Sequence, residues 1–149
     1  MLYIVFEGPE GSGKSTQIKL LNKYLNNNNH KTIKLREPGE TSKGNLIRDI
    51  LLNNEGFELT PKMEFLLFSA DRTQLADVVI KPNLEKGNIV ISDRSWVSSW
   101  AYQGGARGVP DQDILSITEF AIGKDMMHPD LTIYIDIDYE SGIGRKKHQ

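Results

Sequence analysis

The eight residues Gly8-Pro9-Glu10-Gly11-Ser12-Gly13-Lys14-Ser15 constrain this chain more than any other stretch, because they satisfy G-x-x-x-x-G-K-[ST] directly behind an apolar run. Their glycines let successive backbone N–H groups turn inward as an anion-binding nest, and a helix beginning near Ser15 adds the positive end of its dipole. Lys14 then supplies a mobile cation for β- and γ-phosphates, and the Ser15 hydroxyl is placed to ligate magnesium. A plain glycine-rich turn is the alternative, and the flanks argue against it. Leu2-Tyr3-Ile4-Val5-Phe6 reads as a buried strand, while Ile18, Leu21 and Leu25 recur at helical spacing.

A length of 149 residues suits one domain with one core. Eighteen basic against twenty acidic residues leave a formal charge of −2, which gives no general attraction for nucleic acid or an acidic membrane. Small phosphorylated ligands stay open. The chain has no cysteine, which excludes disulfides, thiolate metal sites and cysteine catalysis, and fits a reducing compartment. The apolar run before Glu7 is too short for a signal-peptide core and no later stretch approaches a membrane span, so the expectation is a cytoplasmic protein.

Behind the loop, an amphipathic helix should run to Tyr24 or Leu25 and stop at the turn-favouring run Asn26-Asn27-Asn28-Asn29. Thr32-Ile33-Lys34-Leu35 is a second strand, broken by Pro38-Gly39 at the carboxyl end where ligand loops gather in open α/β sheets. Leu46, Ile47, Ile50 and Leu51 mark a helix over residues 42–53, with Arg48 off its stripe as either a solvated or a ligand-binding arginine. Thr60-Pro61 caps the next helix. There Met63, Leu66, Leu67 and Ala70 make a stripe suited to the core, and Phe65, Phe68 and Arg72 a second face. Phe68 with Arg72 suits either a flat base, by stacking and edge hydrogen bonds, or ordinary packing.

Asn88-Ile89-Val90-Ile91-Ser92 is a strand of the kind buried on both faces of a parallel sheet. Asp93 at its tip suits a magnesium ion, held directly or through water, or a helix cap. Arg94, Ser98 and Tyr102 follow at four-residue steps, as if along one helix face beside Ser99. Residues 104–108 are glycine-rich and predict a mobile turn; Pro110-Asp111 opens a helix to about Gly123 with Ile114, Ile117, Phe120 and Ala121 on its apolar side. A strand over residues 131–136 precedes the start of a helix at 141–147. The alternation predicts an α/β, three-layer P-loop NTPase fold: a parallel sheet with helices on both faces.

From Met1 to about Arg145 the chain resembles the thymidylate kinases, P-loop enzymes that phosphorylate dTMP with ATP. The likeness rests on the stretches 6–16, Arg36-Glu37-Pro38-Gly39, Leu67-Phe68-Ser69-Ala70-Asp71-Arg72, Asp93-Arg94-Ser95, 98–104 and Pro129-Asp130-Leu131, in this order and spacing. The resemblance implies that Gly8 through Thr16 (Gly8, Pro9, Glu10, Gly11, Ser12, Gly13, Lys14, Ser15, Thr16) bind the donor nucleotide. It implies Glu10 near the sugar 3′-hydroxyl, Arg94 and Arg48 on the acceptor phosphate, Phe68 stacked on thymine and Arg72 on the base edge. Ser98, Ser99, Tyr102 and Gln103 would complete the pocket, with Tyr102 where a ribose 2′-hydroxyl would intrude. A homodimer is implied too.

Family members of eukaryotic type carry an arginine in the phosphate loop where this chain has Gly11; the likeness is to the bacterial type, which recruits arginine from a lid. That lid should begin just after Arg145, whereas this sequence runs on only through Lys146-Lys147-His148-Gln149. The expectation is one nucleoside monophosphate kinase domain over residues 1–149, stopping before the lid, with both substrate sites present and transfer largely lost.

The reaction implied is transfer of the γ-phosphate of magnesium-bound ATP to dTMP, giving dTDP and ADP for dTTP synthesis, with Lys14, Asp93 and Arg94 as the central groups. The acceptor is already an anion, so positioning and charge neutralisation suffice. Rival readings are another P-loop nucleotide or deoxynucleoside kinase and a non-catalytic nucleotide-binding fragment. A GTPase-type switch lacks its expected N-K-x-D stretch.

Overall fold

The computed structural model describes residues 1–53 and 58–146. Their elements, in order, are β1 (Leu2–Glu7), α1 (Lys14–Asn27), β2 (Thr32–Arg36), α2 (Ser42–Leu52), α3 (Pro61–Leu75), α4 (Lys81–Glu85), β3 (Ile89–Asp93), α5 (Trp96–Ser99), α6 (Asp111–Ile122), β4 (Leu131–Tyr134) and α7 (Tyr139–Lys146). Wide π-helical turns follow α3 at Ala76–Ile80 and α5 at Trp100–Ala106, and a short 3₁₀ turn covers Lys124–Met127. The chain forms two compact units.

The first unit holds residues 1–35, 83–95 and 129–146, and with them the sheet. Strand order is β2-β3-β1-β4, and β1 lies parallel to both β3 and β4. This is the α/β parallel-sheet fold expected of the alternating pattern. Ile4 and Phe6 of β1 join Ile89 and Ile91 of β3 and Ile18 of α1 in one core, with Leu21, Leu25, Ile133 and Ile135 packed against it. Tyr3, Val5 and Val90, which alternate with those residues, are buried as well, so β1 and β3 are covered on both faces. That accounts for the unbroken apolar runs in the sequence. The register sets Phe6 opposite Asp93 and Glu7 opposite Tyr134, so the carboxyl ends of the strands lie side by side.

Helix α1 extends two residues beyond the expected stop. Asn26 donates back to the Asn22 carbonyl at 2.7 Å and to Thr32 Oγ1 at 2.6 Å, and Asn28 donates to the Tyr24 carbonyl at 2.8 Å. These amides satisfy the helix end instead of breaking it. Strand β4 ends at Tyr134, short of the expected Asp136, and α7 begins at Tyr139, ahead of the expected Ser141; Lys147, in the expected helix, lies outside the described residues.

The second unit holds residues 36–82 and 96–128. Here α3 packs on α2, α5 and α6. The buried residues of α3 are Phe65, Ser69, Asp71, Arg72 and Leu75, whereas Met63, Leu66 and Ala70, expected in the core, are exposed. On α2 the buried residues are Gly44 and Leu51, and Leu46 and Ile50 are exposed. On α6, Ile114, Thr118, Ala121 and Ile122 are buried while Phe120 is 92% exposed. Each helix carries apolar residues on two faces, and spacing alone cannot say which face meets its neighbours. Residues 104–106, expected in a mobile turn, instead belong to the π-helical turn, and the backbone reverses at Gly108 with φ 74°.

The loop after β2 is fixed by Asp71, a buried aspartate of α3 whose two carboxylate oxygens accept from Gly39 N at 3.2 and 3.1 Å. Gly44 on α2 leaves room for that carboxylate; a Cβ there would collide with Asp71 Oδ1 and crowd Thr41 Oγ1, which caps α2 by accepting from Gly44 N at 2.8 Å. Burial raises the Asp71 pKa above its ordinary value, against the lowering effect of the Gly39 hydrogen bond and of Arg72 and Arg48.

Two stability measurements check this packing. The folded protein holds the Asp71 proton more tightly than the unfolded chain, so its contribution is greatest below the ordinary aspartate range and declines as pH rises through the raised folded pKa. Asp71→Asn keeps an acceptor for Gly39 N and is expected to flatten that part of the urea-midpoint profile against pH; an unaltered slope would assign the titration elsewhere. Thr118 Oγ1 is buried with no hydrogen-bond partner among the described residues. An unsatisfied buried hydroxyl costs about 1–3 kcal/mol, so Thr118→Val should hold or raise the urea midpoint, and a clear fall would show that the hydroxyl is engaged.

Candidate active site

In the first unit, the phosphate-loop motif is folded as the turn between β1 and α1. Gly13, with φ 95°, occupies the N-cap of α1, a left-handed conformation that a side chain would strain. Lys14 is buried and folds back over the loop, donating from Nζ to the carbonyls of Gly8 and Pro9, both at 2.9 Å. Burial, and then the charge of Arg94, push the Lys14 pKa below its ordinary value; Asp93, Glu7 and Glu10 pull it back up. An arriving phosphate anion would favour the charged form further. Ser12 is buried in the loop, and Glu10 and Thr16 are exposed.

Ser15 Oγ donates to Asp93 Oδ2 at 3.0 Å, so the first turn of α1 meets the tip of β3. A hydroxyl and a carboxylate beside a phosphate nest form a donor set that fits magnesium, which takes oxygen ligands, often one or two carboxylates together with substrate phosphates and waters. The described residues contain no cluster of three or more His, Cys, Asp or Glu side chains suited to a metal.

Arg94 does not continue the face of α5, as its four-residue spacing from Ser98 suggests. It precedes the helix and has φ 79°, outside any helical conformation. Its N–H donates to the Phe6 carbonyl at 2.9 Å and its carbonyl accepts from Ser92 Oγ at 2.6 Å. Next to it, Ser95 N and Ser95 Oγ both donate to Glu7 Oε1 at 2.8 Å. Glu10, Lys14, Ser15, Asp93 and Arg94 thus belong to one unit.

The loop also touches α7. A Cβ at Gly11, where φ is 74°, would run into the Gly142 backbone, and one at Gly142 would meet the Glu10 carbonyl at 2.8 Å. Arg145 Nη1 donates to the Gly11 carbonyl at 3.4 Å. Asp138 caps α7 by accepting from Ser141 N at 2.8 Å, and this bond holds its pKa below the ordinary value.

The second unit holds Arg48, Phe68, Arg72, Ser98, Ser99, Tyr102 and Gln103. Arg72 is 3% exposed; it donates from Nε to Glu37 Oε2 at 2.6 Å and from Nη2 to Ser99 Oγ at 3.1 Å. The Arg72–Glu37 pair joins α3 to the loop after β2, and Ser99 brings in α5. Arg48 Nη1 donates to the Pro38 carbonyl at 2.6 Å. Burial and then the Arg36 charge lower the Arg48 pKa, opposed by Asp71 and Glu40, and it remains a cation. Phe68 and Ser98 are half-buried, Gln103 is buried and Tyr102 is 45% exposed. Ser99 and Gln103, four residues apart where α5 passes into the π-helical turn, are both buried.

Sequence reasoning assigned no role to Glu7, Glu37, Asp71 or Ser95, all buried polar residues with close partners. A carboxylate ending an apolar strand, as Glu7 does, was the available signal. Buried carboxylates are rare unless paired.

Comparison with known proteins places this chain. A family model described as thymidylate kinase matches residues 6–149. The thymidylate kinase of Roseiflexus castenholzii is 47% identical over 148 residues, which cover 99% of this chain and 64% of that protein. The thymidylate kinase of Thermosipho africanus is 44% identical over 146 residues, covering 98% of this chain and 71% of its relative. This chain therefore spans about two thirds of the length of these curated relatives. The crystal structure of thymidylate kinase from Ehrlichia chaffeensis aligns with a TM-score of 0.83 at 35% identity, covering 99% of this chain and 78% of that one. With the family model matching nearly its whole length, the chain belongs to the thymidylate kinase family.

Proposed function

We propose that the protein transfers the γ-phosphate of ATP to the 5′-phosphate of dTMP, giving dTDP and ADP. The observation that carries this reading is the phosphate loop with a buried Lys14 and a Ser15 hydroxyl 3.0 Å from Asp93, in a chain of the thymidylate kinase family. Residues 8–16 bind the donor phosphates, with loop N–H groups and Lys14 neutralising charge on the β- and γ-oxygens. Ser15 and Asp93 are the residues that would hold a magnesium ion, whose chemistry there is neutralisation of the donor phosphates. No general base is needed, since the attacking oxygen belongs to an anion already.

Arg94 holds the acceptor phosphate in line, with Arg48 as a second cation, and Glu10 receives the sugar 3′-hydroxyl. Phe68 stacks on thymine, and Arg72, set in orientation by Glu37 and Ser99, reads the base edge. Ser98, Ser99, Tyr102 and Gln103 complete the acceptor pocket, with Tyr102 opposing a ribose. Because Arg72 is also the partner of buried Glu37, its removal would leave an uncompensated buried charge; Phe68→Ala is the cleaner probe of base binding. A cytoplasmic setting fits an enzyme of nucleotide supply, and the described residues include no helix long and apolar enough to cross a membrane.

The active form is a homodimer in this reading. Its support is the set of exposed apolar residues in the second unit: Leu46 and Ile50 on α2, Met63 and Leu66 on α3, and Phe120 on α6. Apolar side chains at this density on neighbouring helices suit association more than solvent.

Two experiments follow. In a chain extended at its carboxyl end to the length of its relatives, product analysis with ATP, magnesium and dTMP should find dTDP and ADP, with dTMP preferred over other nucleoside monophosphates in competition. In that extended enzyme, Lys14→Ala should fold normally and lower transfer by about two to three orders of magnitude, the scale of one preorganised electrostatic group; near-normal turnover would reject the site. In sedimentation, the protein should run at twice its 16.8 kDa chain mass. Leu66→Glu should shift it to monomer, and an unchanged single-chain mass in both proteins would reject the dimer.

A further inference from the structure

The turn Asp93-Arg94-Ser95 is held in an unfavourable conformation by groups at the ends of β1 and β3. A non-glycine residue at φ 79° is disfavoured by the contact of its Cβ with its own backbone, so Arg94 stays there only if its surroundings insist. Four hydrogen bonds do so. Phe6 O accepts from Arg94 N at 2.9 Å, Ser92 Oγ donates to Arg94 O at 2.6 Å, and Glu7 Oε1 accepts from both Ser95 N and Ser95 Oγ at 2.8 Å. Glu7 is 5% exposed. Its own carbonyl accepts from Ile135 N at 2.9 Å, so one residue ties together the ends of β1 and β4 and the turn after β3, immediately before the phosphate loop.

We propose that Glu7 is a positioning residue for Arg94. By accepting both Ser95 donors, it fixes the backbone immediately after Arg94 and so sets the direction in which the guanidinium leaves the sheet. The role is geometric: it needs an acceptor oxygen at Oε1, and glutamine supplies one in the same place. This inference rests on the proposed contact between Arg94 and the acceptor phosphate, so the readout must separate phosphate binding from the rest of the acceptor.

Thymidine and dTMP differ by that phosphate, and calorimetry on the two ligands isolates it. In the wild type, dTMP should bind more tightly than thymidine, and Arg94→Ala should shrink the ratio. Glu7→Ala should shrink it about tenfold, the scale of a lost charge-assisted hydrogen bond, with thymidine affinity held within about twofold. Glu7→Gln should restore the ratio to within about threefold of the wild type, and Glu7→Ala added to Arg94→Ala should change nothing further. A merely structural role would lower both affinities together. Should Glu7→Ala fail to fold, Ser95→Ala removes one of the two donors and should move the ratio about two- to threefold in the same direction.

The inference is overturned by a wild-type ratio in Glu7→Ala, by equal losses for thymidine and dTMP, or by Glu7→Gln behaving as Glu7→Ala. If Ser95→Ala must serve alone, a wild-type ratio in it overturns the inference. An undiminished ratio in Arg94→Ala would remove the phosphate contact itself, and the positioning role with it.

Discussion

Parallel pairing of β1 with β3 is the constraint from which the donor side of the site follows. Once Phe6 stands opposite Asp93, a loop leaving β1 and a carboxylate ending β3 emerge at the same edge of the sheet, and Ser15 at the start of α1 comes within 3.0 Å of Asp93. An antiparallel pair would send the two ends to opposite edges. The pairing needs two strands buried on both faces, which is why apolar runs precede both the phosphate loop and Asp93.

The buried polar residues of the two units hold their own surroundings in different ways. Glu7 spends its carboxylate on a turn of the sheet's edge, whereas Glu37 meets Arg72 in a pair from which water is largely excluded. A buried ion pair of this kind adds little net stability but penalises loss of either partner heavily. It therefore tolerates few arrangements of α3 against the loop after β2. Asp71 adds to that restriction by binding Gly39 N, and the glycine at position 44 is required for the carboxylate to fit.

Much of the fold was legible because strands buried on both faces and glycine-bearing loops leave unambiguous patterns; the phosphate loop, the strand before Asp93 and the Thr60 cap needed no tertiary information. The helices of the second unit were misread where both faces are apolar. Met63 and Leu66 looked like core and are exposed, while the buried face of α3 carries Ser69, Asp71 and Arg72, whose polarity hides their burial until partners are known. Arg94 was misplaced for a related reason. Its spacing from Ser98 is helical, but its backbone is held by Ser92 and by the neighbouring Ser95–Glu7 contact, and periodicity carries no information about contacts distant in sequence.

The contact of Gly11 with Gly142 sets a choice between two kinds of phosphate loop. With no side chain on either residue, the backbone of α7 comes so near the loop that a single added Cβ at position 11 would overlap it. A loop bearing a side chain at position 11 would have to push α7 away. Supplying a charge from within the loop thus competes with resting a helix upon it, and since position 142 is already glycine, only a shift of the α7 backbone, not a substitution there, could make room for a side chain at position 11.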